Sequence, residues 1–405
     1  MKSLINELYT VQDRLQKFVP IKFRRNLNVN WGAQLVVIVG ARGTGKTTLV
    51  LQHLLDNFDK EATHLYFSVD NPLVASKKIF DIGKEFFEVY GDVLIIDEVH
   101  KQREWAQDVK ALYDMFPNKK MVVLGSSKMN ILNQKGDLSR RALVYNLKGL
   151  SFREYLSLKY EIHLPVYDLR NILKDHQEIS RNALSNSPDL RRHFSEYLQY
   201  GFYPLCLNNS FQEYIGLLHN ILDKVIYEDT ATIKNMMSST LIVFKKLLAY
   251  LAVSTIPTIK VASVCNELDI RKETLYELFD LLQRADLINI VRRRKASLRS
   301  LRESRILLLN PNMYYAISTD LWKHSPDLGN IREAFFVSQM ELQIYVSQVT
   351  DYEIDINGKT ISFEIGGRNK SRTQIKGLEN AYVLKDDINI GYENVIPLYL
   401  AGFLY

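Results

Sequence analysis

The sequence predicts an α/β fold: a parallel sheet covered by helices on both faces, followed by helical segments and a small mixed α/β segment. Three observations carry this expectation. First, four apolar runs alternate with stretches of helical periodicity: "QLVVIVG" (34–40), "HLYFSVD" (64–70), "DVLIIDE" (92–98) and "KMVVLGSS" (120–127). Continuous apolar runs are the mark of strands buried on both faces, and strand–helix alternation is the pattern of a parallel sheet. Second, from about 151 to 230 the pattern turns helical and rich in tyrosine. Third, short strands such as "YEIDIN" and "TISFEI" appear near the C-terminus.

The bulk numbers fit this organisation. A chain of 405 residues, 46% apolar and 24% charged, is long enough for several packed cores and too apolar for disorder. The net charge of +6 is compatible with nucleic acid without requiring it. Cys206 and Cys265 form no CxxC or Cys/His spacing, so neither a disulfide framework nor a zinc site is expected, and a cytoplasmic location is. The first segment, "MKSLINELYTVQDRLQKFVP", has no signal-peptide core. Leu4, Leu8, Val11, Leu15 and Phe18 give it the apolar face of an amphipathic helix. No stretch approaches the ~18 apolar residues of a membrane span.

Between the first strand and the helix "KTTLVLQHLLDNF" lies "GARGTGKT", Gly40, Ala41, Arg42, Gly43, Thr44, Gly45, Lys46 and Thr47, followed by Thr48. This is G-x-x-x-x-G-K-[ST] in the strand–loop–helix setting that a phosphate-binding P-loop needs. Glycines let backbone N–H groups point inward, and the helix N-terminus adds partial positive charge for phosphates. Lys46 is expected to reach the β/γ-phosphates of ATP and Thr47 to bind Mg²⁺. Asp97, at the end of the third strand, is the carboxylate expected to share that ion. Glu98 is placed to activate the attacking water. Ser126 and Ser127, ending the fourth strand, are candidate γ-phosphate sensors. "DEVH" (97–100) also suggests a helicase. That function needs a second RecA-like core, which the sequence does not offer, and His100 is read as a surface or packing residue.

Residues 241–310 read as three helices, "LIVFKKLLAYLAVS", "KVASVCNELDI" and "RKETLYELFDLLQRADLINIV", the last running into a strand and a basic loop. That order is a winged helix-turn-helix. The loop "RRRKASLRSLRESR" (292–305) supplies Arg292, Arg293, Arg294, Lys295 and Arg299 as candidate contacts to DNA phosphates. Acidic Glu273, Glu277 and Asp280 on the recognition-helix candidate count against DNA. A loop docked on acidic neighbours is the competing explanation.

The segments "GARGTGKTTL", "IDEVHKQREWAQDVKALYD", "VLGSS", "LSRRALVYNLKGLSFREYL", "FSEYLQYGFYP" and "EIDI…FEIGGRNK…IPLYLAGFLY" together resemble prokaryotic AAA-type ATPases followed by a C-terminal domain of unknown function. The resemblance spans nearly the whole chain. After the amphipathic helix (1–20), it implies a P-loop ATPase core (21–150), a helical lid (151–235), a winged helix (236–312) and a degenerate restriction-endonuclease-like PD-(D/E)xK domain (313–405). It also makes Arg141, or Arg140 in the place of the family's glycine, a candidate arginine finger or sensor, worth ~10³–10⁵ in rate where the role is real. A surface arginine paired with a carboxylate is the alternative.

"TISFEIGGRNKSR" (360–372) poses the question of whether that last domain cuts DNA. Nucleases of this fold hold a metal ion on two carboxylates and place a lysine beside them. Glu333, Asp355 and Glu364 are the candidate carboxylates, but the lysine expected two residues after Glu364 is Gly366. Lys370 substitutes for it only if the glycine turn folds back. A helix is expected over 331–346, another over 373–384, and a strand over the final "VIPLYLAGFLY". The expected function is an Mg²⁺-dependent ATPase that switches its C-terminal domains on DNA, with homo-oligomers possible. The alternatives are a non-hydrolysing ATP-dependent switch for protein partners, or an ATP-regulated nuclease.

Overall fold

A computed structural model describes residues 1–57, 63–126, 138, 140–229, 238–254, 260–294, 301, 303–322 and 325–405. They form two compact units, Met1–Gly149 and Leu150–Tyr405.

In the first unit the four expected strands are present as β1 (Leu35–Val39), β2 (His64–Ser68), β3 (Val93–Asp97) and β4 (Lys120–Gly125). A fifth, β5 (Leu143–Asn146), completes a parallel sheet in the order β2-β3-β4-β1-β5. Every residue of β1 and β3 is buried, as continuous apolar runs require. Between the strands run α2 (Lys46–Asn57), α3 (Ile79–Val89) and α4 (Trp105–Met115), whose apolar faces close over the sheet. Because β4 lies between β1 and β3, the loop after β1, the carboxylates ending β3 and the serine following β4 meet at one edge. Ligands of open α/β sheets bind at that carboxyl-terminal edge.

Helix α1 (Lys2–Lys17) packs on this unit through Leu4 and Leu8 of the expected face, but the rest of that face is turned away. Ile5, Leu8 and Gln12 are buried, whereas Leu15 and Phe18 are 39% and 86% exposed. The physical reason is the sheet edge. Gln12 Oε1 accepts the backbone N–H of Tyr66 at 2.6 Å, so a polar residue must face inward to satisfy an amide of edge strand β2.

The second unit opens with α5 (Phe152–Tyr160), started by a capping box between Ser151 and Glu154. Then come α6 (Leu169–Asn186), α7 (Leu190–Tyr200), α8 (Phe211–Lys224), α9 (Ser238–Val253), α10 (Val261–Leu268) and α11 (Lys272–Arg284). Strands β6 (Ile288–Val291) and β7 (Arg305–Leu308) pair antiparallel directly after these helices. Helix α12 (Pro311–Trp322) is held by Asn312, fully buried, which accepts from Phe202 N and Tyr214 Oη and donates to Tyr197 O and Leu198 O. One side chain thus ties α12 to the segment spanning α7 and α8, and each of its polar groups is satisfied.

Helix α13 (Leu328–Gln339) precedes a mixed sheet of β8 (Ile344–Val346), β9 (Tyr352–Ile356), β10 (Lys359–Gly366), β11 (Ala381–Lys385) and β12 (Val395–Pro397). β8, β9 and β10 run antiparallel, and β11 and β12 join parallel to β10. Three expectations change here. The helix expected to 346 ends at Gln339, and Ile344 onward is strand. The helix expected over 373–384 is a single 3₁₀ turn, Thr373–Ile375, followed by β11, because Gly377 turns the chain at φ 81 and "AYVLK" then joins the sheet. The final strand stops at Pro397 and becomes a 3₁₀ run, Leu398–Phe403, packed on α5 and α13.

Candidate functional site

At the carboxyl edge of the first sheet, the chain leaves β1 through Gly40. A Cβ there would lie 2.2 Å from the carbonyl oxygen of Leu147, so only glycine lets the loop begin so close to the strand next door. Gly45 follows with φ 92, in the left-handed region, just before α2 starts at Lys46. Lys46 is buried, and its Nζ donates to the carbonyls of Gly40 (2.8 Å) and Ala41 (3.1 Å), across the loop it belongs to. Arg25 braces the loop, donating to Thr44 O at 2.7 Å and to Lys148 O and Gly149 O. The sequence alone did not single out Arg25.

Thr47 Oγ1 donates to Asp97 Oδ2 at 2.6 Å, and Tyr66 Oη donates to the same oxygen at 2.9 Å. The other oxygen of Asp97 accepts the backbone N–H of Glu98 at 2.7 Å. Thr47 and Asp97 thus present a hydroxyl and a carboxylate at one point, hard oxygen donors suited to Mg²⁺. Glu98 itself sits at φ 52, a left-handed conformation uncommon for a residue with a side chain, immediately after the strand. Burial pushes its carboxyl above the usual range, partly offset by His100.

His100 was read as a surface or packing residue, and it is buried, its side chain fully so. It is also more than packing. Its Nε2 lies 3.3 Å from Glu98 Oε2 and 3.3 Å from Ser126 Oγ, linking the ends of β3 and β4. Ser126 is buried at the edge where the sequence placed it, and Ser127 lies outside the described residues. Arg141, the candidate finger or sensor, is engaged with its own unit in this structure. It makes a two-point ion pair with Asp114 (2.9 and 3.1 Å) and covers the Tyr113 ring at 5.7 Å, while Arg140 is exposed.

In the second unit, the basic loop is engaged with carboxylates. Arg293 pairs with Glu303 at 2.6 Å. Arg294 pairs with Glu353 and Asp355 and lies 4.7 Å from the Tyr345 ring centre. The Arg292 carbonyl accepts Val346 N, which fixes the start of the loop against β8. Lys295 and Arg299 lie outside the described residues.

The carboxylates expected of a nuclease separate into two groups. Asp355 is exposed and tied to Arg294 and Thr360. It pairs in register with Thr360, four residues along β10 from Glu364, or roughly 13 Å at strand rise. Asp351, which the sequence did not flag, takes the nearer position. Its Oδ2 accepts Ile365 N at 2.7 Å and its Oδ1 meets Arg305 at 2.7 Å. Glu333 also pairs with Arg305 and accepts Tyr352 Oη at 2.6 Å. Glu364 is fully buried, its carboxyl raised by that burial, and it pairs with Lys370. The guanidinium of Arg305 therefore stands between two carboxylates, where a cationic charge is already supplied. Among the described residues, no group of three acidic, histidine or cysteine side chains is arranged as a metal-ligand set.

Comparison with known proteins bears on both units. A family profile described as an AAA domain matches residues 32–156. A second, described as a domain of unknown function (DUF8612), matches residues 191–318. The chain thus contains an AAA-type P-loop domain followed by a domain without an assigned role. The uncharacterized protein MJ1637 of Methanocaldococcus jannaschii is 31% identical over 268 residues, 63% of this chain and 56% of that protein, so the match spans little more than half its length. Among solved structures, AMPPCP-bound DnaA from Aquifex aeolicus aligns at 13% identity over 68% of this chain and 86% of that one, with a TM-score of 0.26. PCH-2 of C. elegans aligns at 20% identity over 38% and 44%, with a TM-score of 0.23. No helix among the described residues is long and apolar enough to cross a membrane.

Proposed function

We propose that this protein is an AAA-type ATPase that binds ATP with Mg²⁺, hydrolyses it, and uses the cycle to switch its C-terminal domains on DNA. The observation that carries the proposal is the Thr47–Asp97 hydrogen bond of 2.6 Å, which joins the end of the phosphate loop to the carboxylate of the neighbouring strand. In this role Lys46 exchanges its two loop carbonyls for phosphate oxygens. Backbone N–H groups of Gly43 to Thr48, at the start of α2, hold the phosphate chain. Thr47 and Asp97 would hold Mg²⁺, which when bound neutralises charge on the phosphates. Glu98 orients the attacking water and receives its proton, and its raised affinity for protons suits a base held out of water. Ser126 meets the γ-phosphate.

The remaining boundaries follow the sequence expectation: a helical lid over 151–235, a winged helix over 236–312 and a nuclease-like domain over 313–405. The order α9, α10, α11, then the β6–β7 hairpin, supports the winged helix. The nuclease-like domain is a holding domain in this proposal, because Arg305 and Lys370 already neutralise its carboxylates. A second function, an ATP-dependent switch for a protein partner, is favoured by one observation. Arg293 and Arg294 are committed to carboxylates of their own chain and so are withdrawn from phosphate contacts. The deciding experiment is the ATPase rate with and without duplex DNA at two salt concentrations. Stimulation by DNA that fades with salt supports the DNA switch. ATP turnover indifferent to DNA removes the DNA switch, and ATP bound without turnover removes the ATPase and favours the non-hydrolysing switch for a protein partner.

A further inference from the structure

We propose that His100 is a positioning residue that couples Ser126 to Glu98, so that the group Ser126 holds decides how Glu98 is held. The proposal rests on the ATPase function above and deepens it.

The geometry turns on one atom. His100 Nε2 lies 3.3 Å from both Ser126 Oγ and Glu98 Oε2. A neutral imidazole carries its single hydrogen on Nε2 or on Nδ1, never both. With the hydrogen on Nδ1, Nε2 accepts from the Ser126 hydroxyl and offers Glu98 nothing. With the hydrogen on Nε2, it donates to the Glu98 carboxylate and can no longer accept from Ser126. The two arrangements exclude each other. The His100 side chain is fully buried and Ser126 is 5% exposed, so water is kept from competing for either bond.

The surrounding backbone fixes the distances. Glu98 leaves β3 in a left-handed conformation, its N–H held by Asp97, and His100 follows on the 3₁₀ turn Val99–Lys101. Ser126 directly follows β4, the strand between the one that leads into the phosphate loop and the one that carries Asp97. When a phosphate oxygen takes the Ser126 hydroxyl hydrogen bond, Nε2 loses its donor. The tautomer with its hydrogen on Nε2 is then favoured, one proton leaving Nδ1 and another reaching Nε2 by exchange with solvent while the site is open to nucleotide, and the carboxylate of Glu98 becomes its acceptor. A phosphate contact on one strand thereby becomes an oriented base on the next.

The test uses the full chain with ¹⁵N-labelled histidine, the His100 signals being assigned by their loss in His100→Gln. A non-hydrolysable ATP analogue with Mg²⁺ is expected to move His100 toward the Nε2–H form. ADP should not, and Ser126→Ala should abolish the difference. One tautomer in every nucleotide state, or an unchanged response in Ser126→Ala, overturns the coupling. In turnover, His100→Phe keeps the ring volume without its nitrogens. It should lower kcat by roughly 10²-fold with nucleotide affinity and KM nearly unchanged, and His100→Gln should recover most of that loss. A Phe variant as fast as the parent, or one weakened equally in binding and rate, also overturns it. Should the parent bind ATP without turning it over, the ATPase function fails, and the tautomer measurement still decides the coupling.

Discussion

Lys370 fills the space that a side chain on Gly366 would occupy. A Cβ at Gly366 would lie 2.6–2.7 Å from the Cγ, Cβ and Cδ of Lys370, whose ammonium pairs with Glu364. The turn at 367–370, closed by Lys370 N donating to Gly367 O at 3.0 Å, sends the lysine back along the strand it has just left. The lysine missing from its place two residues after Glu364 is thus supplied from four residues further on, and the glycine is what makes room for it. The sequence question about "TISFEIGGRNKSR" has a geometric answer: the turn folds back and brings the Lys370 charge to Glu364.

The surroundings of this pair lead to the first prediction. Glu333 and Asp351 share the Arg305 guanidinium, which is largely buried, and Tyr352 lies beneath it at 5.0 Å. Carboxylates committed to an internal cation are poor ligands for a second one, so no Mg²⁺- or Mn²⁺-dependent cleavage of single- or double-stranded DNA is expected, with or without ATP. Arg305→Ala strands two carboxylates and should destabilise the protein by about 3–5 kcal/mol, measured by denaturant unfolding. Cleavage by purified parent protein that vanishes in Glu364→Ala would overturn this prediction.

The second prediction concerns ATP. Lys46→Ala removes the cation of the loop and should weaken nucleotide binding. Glu98→Gln keeps the shape of the site and should bind ATP as the parent does while blocking turnover. Catalysis of this kind is positioning plus electrostatics, so losing the water-orienting carboxylate costs rate rather than affinity. Equilibrium binding of a fluorescent ATP analogue, alongside phosphate release, separates the two. A Glu98→Gln variant as fast as the parent removes Glu98 from the mechanism.

A third prediction separates the arginines of the basic loop. Arg294 is expected to act within the protein, because it joins two carboxylates of β9. Arg294→Ala should therefore lower stability and leave the salt dependence of DNA binding nearly unchanged. Neutralising Arg292 and Lys295 should instead lower the log–log salt slope on duplex DNA by about 0.9 for each phosphate the variant no longer neutralises. Fluorescence anisotropy over a salt series reads both, and a slope unchanged in the Arg292/Lys295 variant excludes them as phosphate ligands.

The sequence revealed those parts of the molecule that local pattern controls. β1 and β3 are buried on both faces, so their apolar runs stand out, and "GKT" and "DE" lie where short-range chemistry demands them. β5 was missed because it is an exposed edge strand of four residues, too short to show a period of its own. Asp351 was missed for a different reason. Only tertiary folding brings it to Ile365 N, whereas Asp355 lies on a clean strand pattern and attracts notice without reaching Glu364. His100 showed the same limit: "DEVH" gives its position, but not its simultaneous approach to Glu98 and a serine on another strand.

The last prediction concerns acid stability in the second unit. Glu196 accepts Tyr160 Oη at 2.5 Å and also pairs with Lys159 and Tyr200. Lys159 in turn stands over the Tyr200 ring at 4.4 Å. Burial favours the neutral acid, but donation from Lys159, Tyr160 and Tyr200 outweighs it and holds the carboxyl at about 2, below its ordinary value of 4.5. A depressed carboxyl stabilises the fold above its unfolded value and loses that contribution as pH falls through the folded one. The loss should therefore run from about pH 4.5 down to about 2. Its full size is on the order of 3 kcal/mol, with solvent reducing it because the side chain is partly exposed. In Glu196→Gln the titrating group is gone, so the variant should be less stable than the parent at pH 7, and the gap should narrow across that acid window. Urea midpoints for both proteins at several pH values between 2 and 7 test this. A gap of constant size down to pH 2 would show that Glu196 contributes by packing alone.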